Sequence, residues 1–600
     1  MSKIWRSNTF ILLVLFCVSV LIRVIPMQKW VYGLDEAMHL IAPSFLAGSK
    51  DPGTKPGYAF ILIIIFIILN SQHPFFARLL TVIFTSLIPF VGFSFGKKLG
   101  GEKTGLITAI FLTFHHRLFD LSYWIMTDVP FTFLSFLSTY FVVCNVQKSE
   151  KSETNIHLTL ITGILCGLSY LFRQIGIYLV LMVILLYFVT KGNLAVKFKG
   201  FIGFFMGVTI MLFPWFLWSY IQFGVLDPAT SVINISSFPV IHVNLLTYIL
   251  LFLVLTASSV IICLIIHYRN KYFGIKKQLG IFVACSISAF YVFALIYFVY
   301  FKTKGVFKLL LYYFVQIPGL VLGFDLINQY QVTPYAIIIS IIIFQILLVG
   351  LVIGYRMNRL FTRVTLLSII ILLIFLVNII YYKSRYFYPI IPLLTPFLWI
   401  GLFKIRDSSI SVLRKFYYRY PNYFRKGFLL SFHRSCSLII SIMFITVILF
   451  PNIVADGLAN NDYLSTDDMV VTSPLWREYI EAALWFKETS DPQAKVMAFK
   501  NFDFEYYSQR KCIAPSQRIY NEYFRNNKQA YVTELMTYMK ANNITHIVFG
   551  PFGYSDNILF WLSDPDTAPS YVEVIYLRNS PKVIIYLIQW SKFTPASPFD

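Results

Sequence analysis

Long apolar runs recur along the first three quarters of this 600-residue sequence, and no other feature limits its fold so strongly. Each run has about 18 or more residues, which lets a helix cross the roughly 30 Å hydrocarbon core of a bilayer. Composition agrees, because 58% of the residues are hydrophobic and only 13% are charged. A soluble domain has about a quarter of its residues charged. The sequence therefore predicts an α-helical polytopic membrane protein.

The apolar runs predict about thirteen transmembrane helices. Their centres lie near residues 18, 87, 112, 137, 165, 182, 211, 256, 290, 345, 373, 395 and 443. No small-residue cleavage site follows the first run, so we expect an uncleaved span there. Two more apolar segments, 58–69 and 306–326, fit a span poorly because the first is short and the second contains Pro318 and Gly319. For each of these, an interfacial and a spanning helix remain alternatives.

The distribution of charge predicts the orientation of the chain. The net charge is +22, but from Asn452 onward 13 basic and 17 acidic residues give −4, so the preceding part carries +26. The basic residues concentrate in alternate loops, which indicates the cytoplasmic side and not a nucleic-acid site. We therefore expect a cytoplasmic N-terminus, an extracytoplasmic C-terminal domain and no nucleic-acid partner.

The hydrophilic end of the chain predicts a second domain, which divides the protein into residues 1–451 and 452–600. A helix is expected from Pro474 to about residue 488, with proline in its first turn. Strands are expected at 495–499 and 546–549, and a hairpin at 572–577 and 582–587. This pattern is typical of a small extracytoplasmic α/β domain.

Several charged residues are expected at one depth, near the outer membrane surface. The acids follow the first span and begin the fourth, and the cations lie in neighbouring outer turns. They are Asp35, Glu36, Lys55, Asp128, Arg173, Lys383 and Arg385. Charges beside the hydrocarbon are costly and usually functional. Carboxylates that accept a proton and cations that stabilise a phosphate fit group transfer from a lipid phosphate.

Structural interpretations of the same residues stay open. Asp35 and Glu36 form an ordinary solvated loop pair in one alternative, and Asp128 caps a helix in another. Lys383 and Arg385 anchor an interfacial helix in a third. Adjacent histidines, such as His115 and His116, point apart on a helix, which disfavours a shared metal.

Short motifs through most of the membrane part resemble the GT-C glycosyltransferases that use lipid-phosphate-linked sugars. The nearest in pattern are the protein O-mannosyltransferases and the lipid A aminoarabinose transferases. The motifs are Leu34-Asp35-Glu36, Lys55-Pro56, Ala77-Arg78-Leu79-Leu80, Thr127-Asp128, Phe213-Pro214-Trp215 and Arg385-Tyr386-Phe387-Tyr388-Pro389. In the tail, Ala483-Leu484-Trp485-Phe486-Lys487 and Ile544-Thr545-His546-Ile547-Val548 also resemble the periplasmic domain of such enzymes.

The resemblance implies a GT-C fold and an inverting glycosyltransferase. It implies that Asp35 is the catalytic base, that Asp128 is a second catalytic acid, and that Lys55 contacts the donor phosphate. Arg385 would lie near the donor or carrier phosphate. We assign Glu36 and Arg173 to substrate binding as well. The implied partners are a polyprenyl-phosphate sugar donor, a lipid, glycan or protein acceptor, and membrane lipids.

The sequence departs from the family pattern at two positions. Gly57 stands where the family often has a second proline, and Thr54 stands where an acid commonly precedes the lysine. The second departure weakens the expectation of a divalent metal, for which Glu36 and His39 are the candidate ligands. No other cofactor is expected.

Two other classes of function remain as alternatives. A transporter or flippase for a polyprenyl-linked or other anionic lipid would place ionisable groups near the midplane, often in repeated halves. Here the acids cluster at outer ends, and no repeat is present in the sequence. A non-catalytic scaffold would not need Asp35, Lys55 and Asp128 together.

Overall fold

A computed structural model describes the chain in segments. They are residues 8–25, 40, 56–71, 73–150, 155–189, 194–223, 317–322, 327–328, 331–332, 334–378, 387–419, 474–498, 501–515, 519, 527–550, 559–579 and 582–593. The chain divides into two compact units, of which the first contains most of the helices and the second contains the C-terminal sheet. The predicted boundary at 451 and 452 lies outside the described residues.

Helices dominate the described residues before position 420. They are α1 (Asn8–Val24), α2 (Pro56–Leu69), α3 (Pro74–Gly100), α4 (Glu102–Thr113), α5 (His116–Asp120), α6 (Asp128–Glu150), α7 (Ile156–Phe172), α8 (Ile177–Val189), α9 (Leu194–Phe223), α10 (Pro334–Met357), α11 (Arg359–Asn378) and α12 (Ile390–Arg419). Two-residue strands β1 (Ile327–Asn328) and β2 (Gln331–Val332) pair antiparallel.

These helices cover the predicted span centres near 18, 87, 112, 137, 165, 182, 211, 345, 373 and 395. The centres near 256, 290 and 443 lie outside the described residues, so the total of thirteen stays a prediction. Three helices of the described part are long and apolar enough to cross a membrane, namely Pro74–Gly100, Asp128–Lys148 and Val196–Ile221. The membrane class of the helical part therefore stands on both composition and helix length.

Two of the predicted segments differ from simple spans. Helix α2 has 14 residues, which at 1.5 Å per residue gives about 21 Å and favours its interfacial alternative. The span predicted near 112 is interrupted, because α4 ends at Thr113 and α5 begins at His116. The backbone of His115 is extended at this break, and its Nε2 lies 2.9 Å from the carbonyl oxygen of Leu320. A buried tertiary contact thus occupies His115. Its partner Leu320 belongs to residues 317–322, which are the described part of the predicted segment 306–326.

Close packing of small residues joins α7 to α9. A Cβ on Gly163 would lie 2.1 Å from the carbonyl oxygen of Phe204, and one on Gly207 would lie 2.2 Å from that of Leu160. Helices approach this closely in membranes where glycine removes the side chain, because dispersion contacts rather than hydrophobic transfer hold them together. The contact fixes the end of α7, from which a candidate site residue projects.

The C-terminal unit is a five-stranded mixed sheet with helices. Its elements are α13 (Pro474–Thr489), β3 (Lys495–Ala498), α14 (Asn501–Ser508), β4 (Lys511–Ile513), α15 (Lys528–Ala541), β5 (His546–Phe549), β6 (Val572–Asn579) and β7 (Lys582–Ile588). The strand order is β4-β3-β5-β7-β6. The first three strands are parallel, and β6 and β7 form the predicted antiparallel hairpin. The small sheet domain is thus confirmed.

The core of this sheet is formed by β7, in which four consecutive residues are buried, and by the apolar face of α15. Tyr531, Leu535 and Met539 of α15 are buried against Ile584 and Tyr586 of β7. At the start of β5, the ring of His546 packs 4.8 Å from that of Phe486, and its Nδ1 lies 2.8 Å from Thr545 Oγ1. Burial lowers the pKa of His546 to about 4. The imidazole is therefore neutral near pH 7 and serves packing.

Arg510 caps the C-terminal end of α13, and we expect its replacement to destabilise this unit strongly. Its guanidinium donates to the carbonyl oxygens of Lys487 and Ser490, both at 2.8 Å, and to Ser490 Oγ at 3.1 Å. Buried carbonyls at a helix end lose these charge-assisted bonds in Arg510→Met. We expect the free energy of unfolding of this unit to fall by about 3 kcal/mol. The measurement is the rate of amide exchange of β3 and β5 in the full-length protein, which should rise.

Arg578→Met is the matched control. Arg578 also reaches α13, with its nitrogens 3.5 Å from Glu478 and 3.7 Å from Glu481, but its side chain is exposed. Solvent screens such pairs, so amide exchange should change far less than in Arg510→Met. Equal effects of the two substitutions would show that the buried cap is not what stabilises this end of the helix.

Candidate active site

Two of the predicted site residues form a buried ion pair. Arg173 Nη2 lies 2.7 Å from Asp128 Oδ2, and Arg173 Nε donates to Thr127 Oγ1 at 3.2 Å. Asp128 is only 2% exposed, and the side chain of Arg173 is 16% exposed. Removing one partner of such a pair leaves an uncompensated buried charge. The geometry therefore couples Asp128 and Arg173, so that replacing either one affects the other.

Rigid backbone holds both members of the pair. Asp128 is the first residue of α6, where the helix dipole favours a carboxylate. Arg173 ends α7, and its backbone N–H donates to Ser169 O at 3.0 Å. A tight turn follows, in which Gly176 approaches Ser169 so closely that a Cβ would lie 2.6 Å from its carbonyl carbon. The position of the pair is thus set by two helices that pack against each other.

The second oxygen of Asp128 has no hydrogen-bond partner in the part of the chain that the structure describes. Among the described residues, Oδ1 is buried and has no hydrogen-bond partner. A buried carboxylate oxygen without a partner is costly and calls for an explanation. A substrate hydroxyl that donates to Oδ1 would remove the cost, so the carboxylate is suited to orienting a substrate.

The first turn of α2 packs beside this pair. A Cβ on Gly57 would lie 2.8 Å from Phe172 Cδ2 and 2.9 Å from the carbonyl carbon and oxygen of Leu171. Arg173 is the next residue after Phe172 in the chain, and Lys55 is the second residue before Gly57. The contact therefore holds the first turn of α2 against the end of α7, next to Arg173.

Tyr58 fixes the same turn from its other side. Its side chain is fully buried, its hydroxyl lies 2.9 Å from Thr81 Oγ1, and its ring packs 6.2 Å from that of Phe172. The Lys-Pro motif was the signal in the sequence for this region. Only the packing shows why glycine rather than proline follows it here, since the close contact leaves no room for a side chain.

Arg23 is a buried cation that the sequence did not single out as a site residue. In the last turn of α1, it donates to Ser19 Oγ at 2.6 Å and to the carbonyl oxygen of Thr113 at 2.8 Å. Its guanidinium also lies 5.5 Å from the centre of the Phe119 ring. An arginine in the last turn of an apolar run was the available signal. It ties the end of α4 to α1, three residues before Pro26.

The remaining predicted site residues lie outside the described residues. They are Asp35, Glu36, His39, Lys55 and Arg385, and their roles stay predictions. No group of three histidine, cysteine or acidic side chains that would hold a metal occurs within the described segments. Asp128 contributes one open oxygen, which alone does not make a metal site. A divalent metal therefore rests on Glu36 and His39 as candidate ligands.

One family model matches this part of the chain. Residues 50–218 match the model described as dolichyl-phosphate-mannose-protein mannosyltransferase. The matched stretch includes Lys55, Asp128 and Arg173. No protein with a curated description matches the sequence.

Solved structures extend the similarity over nearly the whole chain. ArnT from Cupriavidus metallidurans, bound to undecaprenyl phosphate, aligns with a TM-score of 0.53 at 12% identity over 97% of this chain and 98% of that one. The oligosaccharyltransferase AglB from Archaeoglobus fulgidus, in complex with an inhibitory peptide and a dolichol-phosphate, aligns with 0.52 at 12% identity over 90% and 69%. The chain has the GT-C fold.

A third structure shows a similar degree of likeness. The same Archaeoglobus fulgidus oligosaccharyltransferase in complex with Zn and sulfate aligns with a TM-score of 0.53 at 12% identity, over 97% of this chain and 73% of that one. At such low identity the likeness establishes the GT-C fold alone. The fold prediction is thereby confirmed in architecture, while the number of spans stays a prediction.

Proposed function

We propose that this protein is a membrane glycosyltransferase that transfers a sugar from a polyprenyl-phosphate-linked donor to an extracytoplasmic acceptor. The observation that carries the proposal is the buried Asp128–Arg173 pair beside the first turn of α2. That geometry joins two segments of the stretch matched by a mannosyltransferase family model. Support for the lipid carrier comes from ArnT and AglB, whose structures contain undecaprenyl phosphate and a dolichol-phosphate.

The proposed reaction is a single displacement with inversion. An acceptor hydroxyl attacks the anomeric carbon, and the bond from that carbon to the phosphate oxygen breaks. Asp35 takes the proton of the hydroxyl, and the bonding electrons leave with the polyprenyl phosphate. Lys55 and Arg385 stabilise the negative charge on the departing phosphate. Glu36 contributes to substrate binding.

Asp128 has a separate role in this proposal. Arg173 binds its Oδ2, and its Oδ1 faces no partner among the described residues. We assign Oδ1 the role of accepting a hydrogen bond from a substrate hydroxyl, which orients the sugar or the acceptor for attack. Orientation of this kind raises the rate, because a substrate that is already held in the reactive geometry loses less conformational and rotational freedom when it reaches the transition state.

The proposed orientation places the reaction outside the cytoplasm. Basic residues concentrate in the loops that follow α3 and α10, with Lys97 and Lys98 at the end of α3 and Arg356 and Arg359 on either side of the turn to α11. Positive residues mark the cytoplasmic side. The Asp128–Arg173 pair belongs to the opposite ends of the helices, because α6 runs from Asp128 back to Lys148. The acceptor is a lipid, a glycan or a protein.

Turnover of the purified protein with radiolabelled sugars tests the proposed function. The donors are monosaccharides linked to undecaprenyl or dolichyl phosphate, and the matched controls are the same sugars as nucleoside diphosphate derivatives. We expect release of the lipid-linked sugar to acceptor or water, and no consumption of nucleotide sugars. Consumption of neither donor, together with movement of the lipid across a vesicle bilayer, would favour the transporter alternative.

A further inference from the structure

We propose that Arg173 is a positioning residue, which acts on the reaction through Asp128 and does not bind the donor phosphate directly. The inference rests on the proposed function and concerns how its site works. The sequence predicts substrate binding for Arg173, because a cation near a lipid phosphate is an obvious ligand. The two roles differ in their kinetic consequences, so they are separable by experiment.

The guanidinium of Arg173 is oriented by residues at the start of α6. Nη2 bonds to Asp128 Oδ2 at 2.7 Å, and Nε bonds to Thr127 Oγ1 at 3.2 Å. A planar guanidinium with two of its donor directions fixed has its plane fixed as well. Both acceptors are buried, with Thr127 6% and Asp128 2% exposed. The plane of the guanidinium is therefore set by α6.

Charge compensation also argues against a direct phosphate role. The positive charge of Arg173 lies 2.7 Å from a carboxylate that is almost completely removed from water. In such surroundings the pair presents little net charge to a second anion. The pair is therefore suited to holding a neutral part of the substrate and not to stabilising a departing phosphate.

The contact with Arg173 also sets the position of the other carboxylate oxygen, Asp128 Oδ1. Arg173 holds Oδ2, and the carboxylate belongs to the first residue of α6, so the position of Oδ1 is fixed as well. No described residue supplies that bond. A hydroxyl of the bound substrate is the donor that matches a single buried carboxylate oxygen. Arg173 thus determines where the substrate hydroxyl is held.

A double-mutant cycle on Arg173→Gln and Asp128→Asn tests the inference. Because Arg173 acts through Asp128, the double variant should be no more than about threefold slower than Asp128→Asn alone. The KM for the lipid-linked donor should stay within about twofold of wild type in Arg173→Gln, while kcat falls about 10²-fold. Arg173→Lys should recover part of kcat, since it keeps the charge and loses the fork.

Two results would overturn the inference. One is a double variant whose rate loss equals the product of the single losses, and the other is a tenfold or larger rise in donor KM in Arg173→Gln. The control is the cycle on Arg117→Gln and Asp120→Asn, because these residues form a looser and more exposed pair at 3.6 Å. Its variants should retain rates near wild type.

Binding of undecaprenyl phosphate without a sugar separates this inference from the proposed function. Native mass spectrometry of wild type and Arg173→Gln measures the bound carrier directly and needs no turnover. Unchanged binding supports the positioning role, and a loss of tenfold or more overturns it. Absence of donor turnover in the wild type would instead overturn the proposed function, whatever the binding result.

Discussion

Replacement of Asp35 by Asn should lower the rate of donor turnover by roughly 10²–10⁴-fold, the contribution typical of a general base. The amide keeps the size of the carboxylate but accepts no proton from the acceptor hydroxyl. Binding of the donor should be retained, because phosphate recognition is assigned to other residues. The measurement is the initial rate of release of radiolabelled sugar from a polyprenyl-phosphate donor, normalised to folded protein.

Asp120→Asn is the matched control for this prediction. Asp120 is another acid of the helical part, at the end of α5 and 3.6 Å from Arg117, and it has no assigned role in the reaction. Its variant should keep a rate close to that of wild type. Asp35→Asn with a rate near wild type would remove Asp35 from the role of base, and the search for the base would then move to Glu36.

Gly57→Val should reduce turnover about 10²-fold, because a displacement of about 1 Å at a site costs that much. The first β-carbon would lie 2.8 Å from Phe172 Cδ2 and 2.9 Å from backbone atoms of Leu171. Backbone in a packed helix cannot move aside, and Tyr58 is buried and bonded to Thr81 on the other side. The start of α2 must shift, and Lys55 shifts with it.

The two kinetic constants identify the cause of this loss. Displacement of Lys55 should raise the donor KM as well as lower kcat, since Lys55 is assigned to the donor phosphate. Overpacking alone costs about 1–3 kcal/mol of stability, so the folded fraction is measured by thermal unfolding. The control is Gly105→Ala, where a Cβ would lie 2.6 Å from the carbonyl oxygen of Phe93 at another helix contact. Equal losses of activity in folded Gly57→Val and Gly105→Ala would contradict the proposed link to Lys55.

The sequence predicted four of the five strands of the C-terminal sheet within a few residues, and it did not predict β4. The helix at Pro474, the strands at 495 and 546, and the hairpin at 572 and 582 were all found. Periodicity and turn residues are local signals, and the chain obeys them here. The strand order β4-β3-β5-β7-β6 did not follow from those signals, because it depends on pairing between strands as far apart in sequence as Val496 and His546.

The helical part shows the limit of the same approach. Apolar length located ten of the thirteen span centres in described helices, yet it did not predict the break at His115. That break depends on a bond to the carbonyl oxygen of Leu320, 205 residues away. Hydropathy measures transfer into lipid and contains no information about such a partner.

The sequence by itself determined the membrane class, the charge asymmetry and the side on which Asp128 and Arg173 are expected, since each follows from composition and chain order. Tertiary structure decided that these two residues form one buried pair, with one carboxylate oxygen left open among the described residues. It also decided that Gly57 is the close contact that brings α2 to them. The physical reason is that ion pairing and steric contact depend on distances across helices, and those distances are fixed only when the helices pack.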